Sequence, residues 1–221
     1  MTLAKMTQNV TILIRLIMSI AEAPQVSISI EVPTIPSANL TGEVVPPMIA
    51  HDPIKIIRRV DWGAQPPLGP SPALSAIPTP YVVIGHTETD PCLNESNCIQ
   101  QVRRLQNSHI QWNKWDDIGY NFLVGGDGNI YVGRGWNVEG VHTFNYNKKS
   151  IGVGFIGDFD KVSPNEKQLR AAQQLLELGV KFRELASDYK LLGQKQLIRT
   201  ASPGEQLYKI IQTWPHWRAS P

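Results

Sequence analysis

Two hydrophobic periods alternate along this chain, and their order sets out the fold. The run Tyr81-Val82-Val83-Ile84 is continuously apolar, which predicts a strand buried on both faces, and it delivers Gly85, His86 and Thr87 to its carboxyl end. Ile151 to Ile156 predicts a second buried strand, its glycines thinning one face. Between them, Ile99, Val102, Leu105, Ile110 and Trp112 recur at approximate helical spacing after a polar loop that ends at Cys98. Upstream, Ile54 to Val60 predicts an edge strand, and Gly63 to Pro80 a proline-rich surface connection. Downstream, Ser163-Pro164-Asn165-Glu166 supplies a cap, a proline at the first helical position and a first-turn acid. The helix it opens buries Leu169, Ala172, Leu175, Leu176 and Gly179. Lys190 to Gly193 suggests a short strand, and Pro203-Gly204 starts a last helix docked through Leu207, Ile210, Ile211 and Trp214. The alternation predicts an α/β domain: a central mixed β-sheet flanked by about three helices.

The segment Asp117 to Trp136 predicts a β-hairpin. Two apolar arms flank Gly125-Gly126-Asp127-Gly128-Asn129, whose Gly and Asn residues are expected to take the positive-φ positions of a tight turn. Gly119, Gly133 and Gly135 allow close approach of backbone or ligand. By pattern alone this is a core hairpin.

Residues 1–50 read differently from the rest. Val10 to Ile20 is an apolar run of about eleven residues, against the roughly twenty of a spanning helix. With Lys5 before it and Ala21-Glu22-Ala23 after it, the run resembles a signal-peptide core. Arg15 interrupts it and Pro24 follows the cleavage point, so removal and retention both stay open. Pro24 to Pro53 is rich in Pro, Ser and Thr and reads as a linker. The expected organisation is a leader or linker over 1–50 and a globular domain over 51–221. Asn9, Asn39 and Asn94 head glycosylation sequons, usable if the chain is secreted.

Across 221 residues the formal net charge is +2, and no basic run carries interleaved aromatics, which argues against nucleic acid as a partner. The two cysteines, Cys92 and Cys98, lack the further Cys or His partners of a four-ligand zinc knuckle. They read as a short-loop disulfide of an oxidising compartment or as two reduced thiols.

The run Asp117 to Trp136, together with Arg58-Arg59-Val60-Asp61-Trp62-Gly63-Ala64-Gln65, Tyr146 to Gly157, Thr200-Ala201-Ser202-Pro203-Gly204 and Trp214-Pro215-His216-Trp217, resembles the peptidoglycan recognition protein family. These are animal immune proteins related to zinc amidases. The resemblance spans about three quarters of the chain in order, and implies a central sheet with helices on both faces and a ligand groove on one side. It also implies a disulfide between Cys92 and Cys98, and hence an extracellular setting, either secreted or as the ectodomain of a membrane-bound form.

Family amidases hold Zn²⁺ with two His and one Cys, leaving a position for water. The first ligand falls on Gly85 of Gly85-His86-Thr87, the second on Gln194 of Leu191-Leu192-Gly193-Gln194, and the third on Ser202. Glycine has no donor, and neutral amide and hydroxyl are poor replacements for imidazole and thiolate. The resemblance therefore implies no zinc, no other cofactor and no amidase activity. Tyr120 and Thr200, at the assisting positions, become groove-lining hydrogen-bonders.

The same resemblance places His86, Thr87, His109, Tyr120, His142 and Asn147 where relatives contact the muramyl peptide stem, and leaves His51 and His216 structural. Lys114-Trp115 stands where diaminopimelate-type binders carry Gly-Trp and lysine-type binders carry Asn-Phe. Lys148 stands where some diaminopimelate receptors carry Arg, and an ammonium lacks the bidentate fork. The resemblance as a whole implies a non-catalytic receptor for bacterial peptidoglycan, leaning to the diaminopimelate type, that signals by homo- or hetero-association with related recognition domains. A regulatory partner that has lost its ligand, and an amidase with an unconventional site, are the alternatives.

Overall fold

The computed structural model describes residues 54–221. The signal-like run, the linker, Asn9, Asn39 and His51 lie outside the described residues.

Six strands form one mixed sheet in the order β1-β4-β3-β5-β2-β6. The strands are β1 (Ile56–Ile57), β2 (Thr79–His86), β3 (Phe122–Val124), β4 (Ile130–Val132), β5 (Ser150–Phe155) and β6 (Leu185–Gly193). The helices are α1 (Arg59–Trp62), α2 (Glu95–Gln111), α3 (Glu166–Lys181) and α4 (Glu205–Ile211). β2 lies parallel to both β5 and β6, β5 parallel to β3, and β3 and β4 close the expected hairpin in antiparallel register. The core is split by the sheet. Val82, Ile84, Ile151, Val153 and Phe155 pack with Leu175, Leu176, Leu207 and Ile211 on the α3–α4 side. Trp62, Val102, Ile118, Leu123 and Tyr131 pack with the disulfide on the α2 side. Cys92 and Cys98 are disulfide-bonded, with Cα atoms 5.0 Å apart.

Several expected boundaries move, each for a local reason. The edge strand from Ile54 ends at Ile57, because the Asp61 carboxylate accepts from the Arg58 amide (3.2 Å) and starts α1. That turn buries Trp62 completely, its indole donating to Val132 O at 2.9 Å. Helix α2 begins at Glu95, so Cys98 lies inside it; Asn94 caps it by accepting from Asn97 N at 2.9 Å. Its buried stripe is Cys98, Val102, Gln106, His109 and Ile110, and Trp112 is 79% exposed. Counting apolar residues misplaces this stripe, because two of its members are polar side chains with buried partners.

Helix α3 is capped by Asn165 and not Ser163. Asn165 accepts from Gln168 N (2.9 Å) and donates to Gly126 O (2.7 Å), which ties the helix to the hairpin turn. In that turn only Gly128 has positive φ, 88°; Asn129 is braced instead by Asp127, which accepts from its amide at 3.1 Å. The last long strand starts at Leu185, well before Lys190. Thr79 pairs with Leu185 but Tyr81 with Lys190, so the intervening residues bulge at Pro80, which has no N–H to donate. Exposed Ser187 and Asp188 hide this strand from hydropathy. No helix among the described residues is long and apolar enough to cross a membrane.

Candidate ligand groove

Strand alternation turns Val82, Ile84, Ile151, Val153 and Phe155 toward α3 and α4, so Val83, Gly85, Gly152 and Gly154 face the other way. Three of those four are glycines, and side chains from distant segments lie on the bare backbone they leave. A Cβ on Gly154 would stand 3.0 Å from the Tyr120 ring, and one on Gly152 would stand 2.3 Å from His142 Cδ2. One on Gly85 would stand 2.9 Å from Gln194 Oε1, 3.1 Å from Ser202 Oγ and 3.4 Å from Tyr120 Cε1. Gly85, Gln194 and Ser202, far apart in sequence, therefore meet at one point beside Tyr120.

Hydrogen bonds hold that point together. Ser202 Oγ accepts from His86 N at 2.9 Å, and Ser202 N donates to Thr200 Oγ1 at 3.2 Å. The Tyr120 hydroxyl donates to His86 O at 3.0 Å. Burial, with the Glu88 charge adding to it, raises the Tyr120 pKa above the ordinary phenol value, so the hydroxyl keeps its proton. Gln194 Nε2 donates to His142 O.

His142 lies at the next step along the floor. Its Nδ1 shares a hydrogen bond with Thr143 Oγ1 (3.0 Å), and the buried ring also interacts with the Ser150 backbone. Asn147 braces the loop by accepting from His142 N (2.9 Å) and Thr143 N (2.7 Å). His109 reaches the groove from α2, with Nδ1 accepting from Gly119 N at 3.0 Å and its ring 4.7 Å from that of Trp115. Lys114, at φ 59°, and Lys148 are exposed.

Two predicted contacts sit differently. The His86 ring shares the parity of Ile84 and turns to the α3–α4 side, where Nδ1 accepts from Phe159 N at 3.1 Å. The His86 backbone bonds to Ser202 and Tyr120 on the groove side. Thr87 Oγ1 accepts from Gly157 N (3.1 Å) and pairs with Thr89 Oγ1 (2.7 Å), fixing the loop after β2.

Two residues that shape the groove floor escaped the sequence patterns. Asn121 is fully buried, donating to Gly135 O (2.9 Å) and Val138 O (2.8 Å) while accepting from Gly152 N (2.9 Å), so it fixes the strand carrying the floor. One polar residue inside an apolar hairpin arm was the available signal. Arg134 donates to Ile118 O at 2.7 Å, and its charge acts on both groove histidines.

Burial first, and Arg134 second, pull His109 down to about 4 and His142 down to about 3, from an ordinary 6.5. Both rings are neutral at physiological pH. Because the folded pKa values are depressed, the unfolded chain takes up protons that the folded chain refuses as pH falls below about 6.5. Stability is therefore complete above that pH and declines as pH falls toward 4. Thermal melts at pH 7, 5.5 and 4.5 should show a falling midpoint, and His109→Gln should shrink the fall; an unchanged slope would count against it.

Among the described residues, no group of three His, Cys, Asp or Glu side chains is gathered to hold a metal ion. The family model described as N-acetylmuramoyl-L-alanine amidase matches residues 75–205. The chain is 43% identical over 164 residues to peptidoglycan-recognition protein SD of Drosophila simulans, covering 74% of this chain and 88% of that one. Among solved structures, it resembles the ectodomain complex of peptidoglycan recognition proteins LCa and LCx bound to tracheal cytotoxin. There the TM-score is 0.73 at 47% identity, over 75% of this chain and 99% of that chain. It also resembles peptidoglycan recognition protein LE in complex with tracheal cytotoxin, a monomeric diaminopimelic acid-type peptidoglycan. That match has a TM-score of 0.73 at 44% identity, over 74% of this chain and 95% of that chain.

Proposed function

The chain belongs to the peptidoglycan recognition protein family, and on that premise we propose that it binds bacterial peptidoglycan as an extracellular immune receptor without cleaving it. The observation that carries this reading is the meeting of Gly85, Gln194 and Ser202 on an otherwise furnished groove floor. In the family's amidases these positions hold zinc. Here the first has no side chain, and the Gln194 amide and Ser202 hydroxyl are engaged in protein hydrogen bonds. That donor set does not suit Zn²⁺, which is bound by thiolate, imidazole or carboxylate. No catalytic step is assigned.

The rest of the groove suits a muropeptide. Tyr120, His109 and Trp115 form a run of neighbouring rings, and His142 lies against the Gly152 backbone beside them. Asn147 and Thr87 hold the bounding loops, and Thr200 orients Ser202. Two relatives are solved with tracheal cytotoxin, one of them as an LCa–LCx ectodomain complex. By analogy this chain signals through homo- or hetero-association with related domains. The disulfide agrees with an oxidising, extracellular setting.

A diaminopimelate-type stem differs from a lysine-type stem by one carboxylate, and the exposed Lys148 and Lys114 supply the opposite charge. An exposed pair of this kind contributes about 0–1 kcal/mol and a desolvated one roughly 2 or more. Calorimetric titration of the full chain should therefore show tighter binding of a diaminopimelate-type muropeptide than of its lysine-type counterpart. Lys148→Ala should narrow the gap by about fivefold. Equal binding of both would remove the selectivity argument. Binding of neither would overturn the receptor reading in favour of a regulatory partner that acts on a related receptor.

A further inference from the structure

The groove face of the sheet continues past His142 to the amino-terminal ends of β2, β5 and β6. Tyr81 shares the parity of Val83 and Gly85, and it is in register with Ser150 on β5 and Lys190 on β6. Above it lies the loop that also carries Asn147 and Lys148. The Tyr146 ring meets the Tyr81 ring edge-on, with centroids 5.4 Å apart and planes at 88°. Lys149 Nζ sits 4.1 Å from the Tyr146 centroid and 5.4 Å from that of Tyr81, and Lys190 Nζ sits 5.5 Å from the Tyr81 centroid.

Two ammonium groups thus share one phenol ring. Among the described residues, the lysines in ion pairs are Lys55 and Lys195, so neither Lys149 nor Lys190 has a carboxylate partner. Both charges are uncompensated, and an anion brought to this end of the sheet would be attracted by each of them. The rings restrain ammoniums that would otherwise roam, so less side-chain entropy is lost when an anion arrives.

The separation fits one occupant. Gly85 to Tyr81 is four residues of extended strand, about 13 Å at ~3.3 Å per residue. The bond that the amidase family is named for joins the muramoyl group to the first stem residue, and it would lie at Gly85. A stem peptide that runs down β2 in extended form from there reaches Tyr81 at about its fourth residue.

We infer that Lys149 and Lys190, held over Tyr81 and Tyr146, form an anion subsite for the terminal carboxylate of the peptidoglycan stem peptide. This rests on the peptidoglycan reading above. The test is titration of the full chain, and of Lys149→Gln/Lys190→Gln, with one muropeptide in two forms: free terminal carboxylate and terminal amide. The natural chain should favour the carboxylate form roughly tenfold, and the double variant should bind both forms alike. Lys149→Arg/Lys190→Arg should keep the preference, which separates lost charge from a disturbed fold. No preference in the natural chain, or equal loss for both forms, overturns the subsite while leaving the receptor reading intact. A loss seen only with a glycerol phosphate oligomer also overturns it, by assigning the lysines to a wall-polymer phosphate. Failure of the natural chain to bind either form overturns both readings.

Discussion

The triple variant Gly85→His/Gln194→His/Ser202→Cys should take up one zinc ion per chain and release stem peptide from peptidoglycan, and the natural chain should do neither. The three positions already converge: a Cβ on Gly85 meets Gln194 Oε1 at 2.9 Å and Ser202 Oγ at 3.1 Å. Both are ends of side chains that the same variant replaces, so the new imidazole gains room as the old groups leave. Tyr120 and Thr200 stay in place beside them. Two imidazoles and a thiolate form a donor set suited to a catalytic site with an open fourth position, and metal-assisted catalysis is worth several kcal/mol of barrier, several powers of ten in rate. Metal analysis after dialysis and chromatography of digested muropeptide read the two effects separately. Zinc in the natural chain at one per molecule, or peptide release by it, would overturn the non-catalytic reading. A triple variant that folds yet binds no zinc would show that the convergence is not a ligand geometry.

The second large effect concerns stability. Asp117→Ala should destabilise the domain by about 3–5 kcal/mol, the range for breaking a buried ion pair from one side. Asp117 is 2% exposed. Its carboxylate pairs with Arg59 at 3.0 Å, and accepts from Gln106 Nε2 and Ile118 N, both at 2.7 Å. One carboxylate therefore joins α1, α2 and the entry to the hairpin. Removing it leaves the buried Ile118 amide unpaired and takes the carboxylate partner from Arg59, which keeps the Gly133 and Gln65 carbonyls, so much of the loss is the cost of groups left under-satisfied. Urea unfolding of the two proteins measures it directly; a loss below about 1 kcal/mol would mean that water replaces the carboxylate. Asp117→Asn should fall between them, because the amide keeps an acceptor but loses the charge.

The buried strands were readable because Val82 to Ile84 and Ile151 to Phe155 are core on one face and covered on the other, which leaves continuous apolar runs. The hairpin was readable from its glycines. The start of β6 was not, because its bulge puts Ser187 and Asp188 in solvent. The stripe of α2 was misread because Gln106 and His109 are core residues only by virtue of partners on other segments. Which residues converge at Gly85 came from resemblance alone, since no local period links positions 85, 194 and 202. The orientation of His86 was within reach of strand parity: Ile84 faces the core, so residue 86 does too.

The glycine floor has a consequence for how such a domain changes over time. Its backbone hydrogen bonds are already committed within the sheet, and the side chains that cover it are rooted on other segments. Exchanging one of those residues opens no cavity in the packed layer between the sheet and α3, which lies behind the strands. A lineage on this scaffold is thus free to exchange side chains on that face while the packed layer behind the sheet stays intact. Inheritance of the scaffold and inheritance of the activity are separable in this architecture.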